Sequence, residues 1–324
     1  MRLFLTLPPD GAAREVAEQV AAALTIPEFK VFDTAKYLTA FKAMLKAPGK
    51  ELAVDLLNQS LIVQALDFAA THVLVTALSP VTLFSLNLLR KHNIKTAHWF
   101  YEDFKRAIYW QDVVAGYDAF YAVQRGEIER VCGARHIDFA LLPTASSLSA
   151  TVSTVKNYDI AFIGIPSRYR IRILENLAHN GLSLAIAGSG WTGYTGILAG
   201  SIMSSDWINA RDGAKLLSAA RIGLNLSYAP PIDNPDAQLS PRAYDILASA
   251  TLLLTEKTPL ASELLDGYAY RTFSPDEDIV LIVRQMLDSY PDAHPAMQSN
   301  IEMVRTRDTY SARTKQLLEM LTGL

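Results

Sequence analysis

The stretch Asp159-Ile-Ala-Phe-Ile-Gly164, which runs on as Ile-Pro-Ser-Arg-Tyr-Arg170, decides the fold. It reads as a buried strand, a glycine turn and the start of a helix over 170–179. A second strand is expected over 183–187, then a helix over 212–220, a strand over 222–226, a helix over 242–250 and a strand over 252–255. Towards the amino terminus the same alternation holds. Strands are expected over 2–7, 31–33, 72–78, 96–100 and 119–123. Helices are expected over 12–24, 50–68 and 79–90, the last opened by Ser79 as cap and Pro80 in the first turn. Strands alternating with helices of this length form a mostly parallel sheet covered on both faces. The fold class is therefore α/β: two Rossmann-like domains facing a cleft, with a helical tail over 279–289 and 296–321.

Length agrees with two domains, since 324 residues is twice the usual ~150. The small polar run over 144–154 reads as the linker, which sets the domains at 1–150 and 151–324. Thirty basic residues against 33 acidic give a formal net charge of -3. That balance argues against a nucleic-acid partner. A single cysteine, Cys132, excludes a disulfide framework and points to the cytoplasm. The six histidines have no metal-ligand spacing, so no metal is expected. The apolar region 61–89 is interrupted by Gln64, Asp67, His72 and Ser79-Pro80, so no integral membrane segment is expected.

Four segments carry candidate chemistry. The turn after the 159–164 strand offers Gly164, Arg168 and Arg170, backbone N–H groups and guanidinium forks suited to phosphate oxygens. The same residues also suit a solvated, arginine-rich helix start. Ala187-Gly-Ser-Gly-Trp191 supplies Gly188 and Gly190 for close backbone approach and Trp191 for stacking or for packing. Asn225 ends a strand, and Ser240-Pro-Arg-Ala-Tyr-Asp245 starts a helix with Ser240 as cap. Arg242 and Asp245 lie one turn apart on the same side, either as a plain ion pair or as a diphosphate and ribose clamp. Thr96-Ala-His-Trp-Phe-Tyr-Glu-Asp103 ends a strand in His98, Glu102 and Asp103, candidate bases in that order of preference: His98, Asp103, Glu102.

Taken in order, these segments resemble the CgeB-type glycosyltransferases, a family with the two-domain GT-B fold. The resemblance runs from about His98 to Arg313. It rests on His98-Trp-Phe, Tyr117-Asp118 with Leu142-Pro143, Asp159 to Gly164, Gly188-Ser-Gly-Trp191, Leu224-Asn225, Ser240-Pro-Arg242 with Tyr244-Asp245, and Thr309-Tyr310 near Arg313. It implies a nucleotide-diphosphate sugar donor on the second domain, an acceptor protein or glycan on the first, and no cofactor besides the donor. It also implies that Arg242 and Asp245 serve the donor. Three positions depart from the family: Asp245 stands for a glutamate, Ala250 for a glycine and Asp308 for a histidine. The activity expected is metal-free transfer of a sugar to an acceptor hydroxyl. The alternatives are a nucleotide-sugar epimerase of the same fold and a non-catalytic module that binds a partner protein.

Overall fold

The strands of the amino-terminal half are β1 Leu3–Leu7, β2 Phe29–Asp33, β3 His72–Thr76, β4 Lys95–Phe100, β5 Ala119–Ala122 and β6 Asp138–Leu141. They form one sheet in the order β2-β1-β3-β4-β5-β6, with every pair parallel. The computed structural model describes residues 1–45, 50–147, 153 and 155–324. The inner strands β1, β3, β4 and β5 are buried on both faces and mostly apolar, as parallel sheets require, while the edge strands β2 and β6 are partly exposed. Phe4, Val75, Phe100 and Phe120 meet Leu57, Leu61, Leu86 and Trp110 in the core.

The second sheet holds β7 Tyr158–Ile163, β8 Leu184–Ala187, β9 Ile202–Ser204, β10 Ala220–Asn225, β11 Leu252–Glu256 and β12 Arg271–Phe273. Its order is β12-β11-β10-β7-β8-β9, again parallel throughout. The helix Arg168–His179 packs Ile173, Leu174 and Leu177 against Ile160 and Phe162. The helix Pro241–Ala248 covers the opposite side with Tyr244, Ile246 and Leu247.

The fold class is as expected, two Rossmann-like α/β sheets followed by helices. Its division differs in one respect. The two units are Met1–Thr144 with Tyr310–Leu324, and Ala145–Thr309. The tail helix Tyr310–Thr322 therefore belongs to the first unit, not to a domain running over 151–324, and it packs on the helix Gly11–Ala23. Its Arg313 is buried and donates Nε–H to the Thr144 carbonyl at 3.2 Å. The helix expected over 296–321 is thus two helices, broken at Asp308-Thr309. Asp308 accepts there from the Tyr268 hydroxyl at 2.5 Å and from Arg307 Nε at 2.9 Å. Residues 148–152 and 154 of the expected linker, and with them the boundary at 150, lie outside the described residues.

Ser79 is not a helix cap. The helix starts at Leu83 with Thr82 as cap, and Ser79 instead accepts a hydrogen bond from the buried Thr6 hydroxyl at 2.8 Å. One capping expectation holds: Ser240, followed by Pro241, caps its helix, and the structure adds Ser167 as cap of the Arg168 helix.

Candidate active site

In the second sheet β8 and β9 lie to one side of β7, and β10 to β12 lie to the other. The winding reverses between β7 and β10, and in open parallel sheets ligands gather at the carboxyl ends beside such a point. The carboxyl ends there lead into Gly164 and into Leu226-Ser227.

Arg242 reaches this point from the first turn of the Pro241–Ala248 helix. Its Nη1 donates to Asn225 Oδ1 at 3.0 Å, and its guanidinium lies 5.2 Å from the centre of the Phe162 ring. Arg170 lies over the same ring at 5.5 Å. A Cβ on Gly164 would come within 3.1 Å of Arg242 Nη2 and 3.3 Å of Arg170 Nη1, so only glycine lets both cations close in without a shift. Two guanidinium groups sharing one ring repel each other, and a dianion set beside them relieves that repulsion. Burial depresses the Arg242 pKa to about 10, against the opposing pull of Glu256 and Asp245, so it stays charged at neutral pH. Its Nε is buried with no hydrogen-bond partner.

The two other arginines of the glycine turn divide their work. Arg170 is 6% exposed and commits its guanidinium to backbone: Nε to Ser227 O at 3.0 Å, Nη1 to Ile165 O at 2.9 Å and Nη2 to Leu226 O at 2.7 Å. It clamps the loops after β7 and β10 together, which corrects the expectation that it presents a fork to phosphate. Arg168 is exposed at the helix start and keeps that possibility.

The turn after β8 is built against the turn after β7. Gly188 has φ of 137°, and a Cβ there would lie 2.7 Å from the Gly164 carbonyl oxygen, so glycine is obligatory. Trp191 is 1% exposed and donates its indole N–H to the Gly164 carbonyl at 2.8 Å. Its ring packs edge-on to Tyr194 in the core. Trp191 is thus a structural residue and offers no stacking face, another correction. Gly190, at φ of 93°, lets the chain pass Pro166.

Arg242 and Asp245 do not bond each other in an ion pair. Asp245 Oδ1 instead accepts from the Ser146 hydroxyl at 2.8 Å and the Ser147 N–H at 2.9 Å, anchoring the start of the second unit. Asn225 is held by Thr255 at 2.9 Å, and so fixes Arg242 from below.

Sequence reasoning missed Glu256. It ends β11, is 2% exposed, and its Oε2 accepts from the Ser227 N–H at 2.7 Å. Burial raises its pKa, opposed by Ser227, Tyr169 and Arg170. A carboxylate directly after the apolar run Leu-Leu-Leu-Thr255, at a strand's carboxyl end, was the available signal.

In the first unit the candidate bases separate. His98 is fully buried, stacked at 4.9 Å on Tyr117 and edge-on to Phe120. Its Nδ1 lies 2.7 Å from the Val75 carbonyl, which only accepts, so Nδ1 carries the proton. Nε2 then accepts from the Tyr109 hydroxyl at 3.2 Å, whose oxygen accepts from the Leu78 N–H at 2.8 Å. Burial pushes the His98 pKa down to about 3. With both nitrogens committed and no solvent contact, His98 is a core residue and not a base. Glu102 is only partly buried beyond the carboxyl end of β4, and burial raises its pKa, with Arg106 opposing and Asp103 assisting. Asp103 accepts from the Lys105 N–H at 2.9 Å, capping its own turn.

Among the described residues no group of three or more His, Cys, Asp or Glu side chains is placed to hold a metal ion. No helix among them is long and apolar enough to cross a membrane.

The fold and part of the sequence are similar to those of known proteins. Residues 169–319, just under half of the chain, match the model of a glycosyl transferase-like family. No curated protein shows significant sequence similarity. HepE of Anabaena, solved in complex with UDP and glucose, is similar in structure with a TM-score of 0.72 at 12% identity, covering 100% of both chains. A glycosyltransferase from Rickettsia africae gives a TM-score of 0.69 at 12% identity, covering 98% of this chain and 97% of its own. Sucrose-phosphate synthase from Thermosynechococcus elongatus gives 0.65 at 11%, covering 100% of this chain and 99% of its own. The chain thus has the GT-B fold of these structures, and its stretch 169–319, which includes the Arg242 helix, is glycosyl transferase-like in sequence.

Proposed function

We propose that this chain is a cytoplasmic glycosyltransferase that moves a sugar from a nucleotide-diphosphate donor to an acceptor hydroxyl on a protein or cell-surface glycan, without a metal. The observation that carries the reading is Arg242: a buried, charged guanidinium at a helix start, held by Asn225 against the Gly164 turn, with Nε unpaired. Breaking the bond between the sugar and the diphosphate builds negative charge on the leaving diphosphate. Arg242, the exposed Arg168 and the backbone N–H groups of the Arg168 and Pro241 helix starts are donors suited to that charge. A site built this way needs no divalent ion. HepE, of the same fold, is known with UDP and with UDP-glucose, which supports a nucleotide-sugar donor here. Among the candidate bases of the 96–103 segment Glu102 ranks first once His98 is set aside, with Asp103 second.

The experiment is a donor screen that follows nucleoside diphosphate release with and without EDTA. Release that depends on an added acceptor and persists in excess EDTA supports the reading. Isomerised donor formed without any acceptor indicates an epimerase. Failure of every nucleotide to raise the melting temperature indicates a non-catalytic module.

A further inference from the structure

At the amino ends of β11 and β12 the second unit holds a cavity of about 380 Å³. Leu252 opens β11, and Arg271 opens β12, the edge strand of the sheet. The helix Ile279–Asp288 contributes Gln285 and Met286 from its last turn. The helix His294–Arg307 contributes Ala296 from its first turn, with Ala293 just before it. Alanines at both positions leave open a space that larger apolar side chains on the same helix start would fill. The cavity is remote from the Gly164 and Arg242 turns, which lie at the carboxyl ends of the strands. Glu256 closes β11 four residues beyond Leu252, about 13 Å further along the strand.

The lining selects a ligand. Leu252, Leu253, Met286 and the two alanines give an apolar floor. Arg271 is the one charged residue of the lining, which contains no acid. Arg271 and Gln285 are exposed and Tyr270 is half-buried. Among the described residues the Arg271 guanidinium, the Gln285 amide and the Tyr270 hydroxyl make no hydrogen bond or ion pair with the protein. The Ser289 hydroxyl, by contrast, is spent on the Gln285 and Met286 carbonyls at 3.0 and 3.3 Å. A concave, mostly apolar pocket of this size with a few polar groups is the usual form of a small-molecule site. One cation without an opposing acid calls for a monoanion, and a guanidinium fork takes both oxygens of a carboxylate. A dianionic phosphate would ask for a second cation, which the lining lacks.

We propose that this cavity binds a small monocarboxylate with an apolar body. The carboxylate sits on Arg271, with the Gln285 amide and the Tyr270 hydroxyl as further donors, and the aliphatic or aromatic body covers Leu252, Leu253 and Met286. The site shares no residue with the Gly164 and Arg242 turns and stands independently of the nucleotide-sugar reading.

Ligand-observed NMR titration of the full chain tests the site, with octanoate and 3-phenylpropanoate as the acids and octan-1-ol as the neutral probe. The expected result is saturable binding of an acid, with octan-1-ol roughly tenfold weaker than octanoate. Arg271→Gln should weaken octanoate by a similar factor while leaving octan-1-ol unchanged. Ala293→Leu combined with Ala296→Leu fills the cavity and should abolish binding of all three probes, with the melting temperature unchanged or higher. Arg271 is exposed, so Arg271→Gln decides the charge assignment even where the double variant folds poorly. Failure of both acids to bind the wild-type chain overturns the site. Equal binding of octanoate and octan-1-ol, or full octanoate affinity in Arg271→Gln, overturns the carboxylate assignment. Undiminished binding in a folded double variant shows that the probes bind elsewhere and overturns the site as well.

Discussion

Trp191 donates its indole N–H to the carbonyl of Gly164 at 2.8 Å, and this one bond ties the turn after β8 to the turn after β7. Because the ring is 1% exposed, its contribution is to stability and to the placing of the glycine turn. Trp191→Phe keeps an aromatic ring but leaves the Gly164 carbonyl short of a donor and the pocket underfilled. Thermal or urea denaturation is expected to register a loss of about 1–3 kcal/mol. Nucleotide affinity should follow only weakly. A variant of normal stability whose nucleotide affinity collapses would mean that Trp191 stacks on the ligand after all.

Arg242 carries the binding prediction. Arg242→Ala removes a charged donor from the switch point and leaves Asn225 Oδ1 without its 3.0 Å partner. Calorimetry with the nucleoside diphosphate should find affinity weakened by about 1.5–3 kcal/mol, the scale of hydrogen bonds to charged groups. Arg242→Lys is not a conservative rescue, since a lysine lacks the planar fork that serves Asn225 and a phosphate oxygen together. Unaltered affinity in either variant would move the donor site elsewhere.

Much of this architecture was legible in the chain because parallel strands are written as short apolar runs and helix starts as caps. Ser240-Pro241 marks its helix correctly, and Asp159 to Gly164 ends where β7 gives way to its turn. What the pattern could not carry was long-range pairing. Nothing local to Tyr310–Thr322 says that its apolar face is spent on the first unit, because helix periodicity names a face and not its partner. The site behaved likewise. Arg242 was visible as a cation at a capped helix start. Arg170 looked the same, and only its three backbone carbonyls separate a clamp from a ligand contact. His98 was misread because a histidine within a strand of aromatics signals either a buried or a functional ring, and burial decides between them.

That burial makes His98 a determinant of acid stability. Its folded pKa of about 3 lies below the ordinary 6.5, so the unfolded chain binds the extra proton first. Its contribution is complete above about pH 6.5 and is lost progressively as pH falls towards 3. The full linkage is on the order of 5 kcal/mol. His98→Gln should flatten the acid limb of melting temperature against pH, while lowering stability at neutral pH through lost packing on Tyr117. An acid limb of unchanged steepness in that variant would assign the loss to other groups.

Lys156 makes the opposite edge of the pH range informative. Its Nζ donates to the carbonyls of Ser218 at 2.7 Å and Ala250 at 2.8 Å, and burial depresses its pKa from 10.5 to about 8. Ala250 has φ of 51°, the left-handed conformation that favours glycine, which accounts for a glycine in the resembled family. Lys156 holds that strained carbonyl. The unfolded chain keeps the lysine proton up to about pH 10 whereas the folded chain releases it near 8. Stability from this group therefore rises with pH across that window. The difference in melting temperature between wild type and Lys156→Met should move in favour of the wild type from pH 8 to 10. A difference that stays constant would mean that the lysine titrates normally.

The last prediction concerns the base. Glu102 lies just past the carboxyl end of β4, and burial raises its pKa, assisted by Asp103 and opposed by Arg106. A carboxylate with a raised pKa is a stronger proton acceptor than one at its ordinary value, and so better matched to an acceptor hydroxyl. Asp103 already spends an oxygen on the Lys105 N–H, which suits it to shaping the turn. Glu102→Gln should lower turnover by roughly 10²–10⁴, the usual worth of a general base, with nucleotide affinity nearly intact. The acid limb of kcat/KM in the wild type should have its midpoint above the ordinary 4.5 of a glutamate and should vanish in the variant. Lowering the pH protonates Glu102 and removes the base, so activity falls on the acid side. Removing Arg106 by Arg106→Ala takes away the charge that opposes the shift, so the midpoint should move further up. Wild-type turnover in Glu102→Gln, together with loss of turnover in Asp103→Asn, would transfer the role to Asp103.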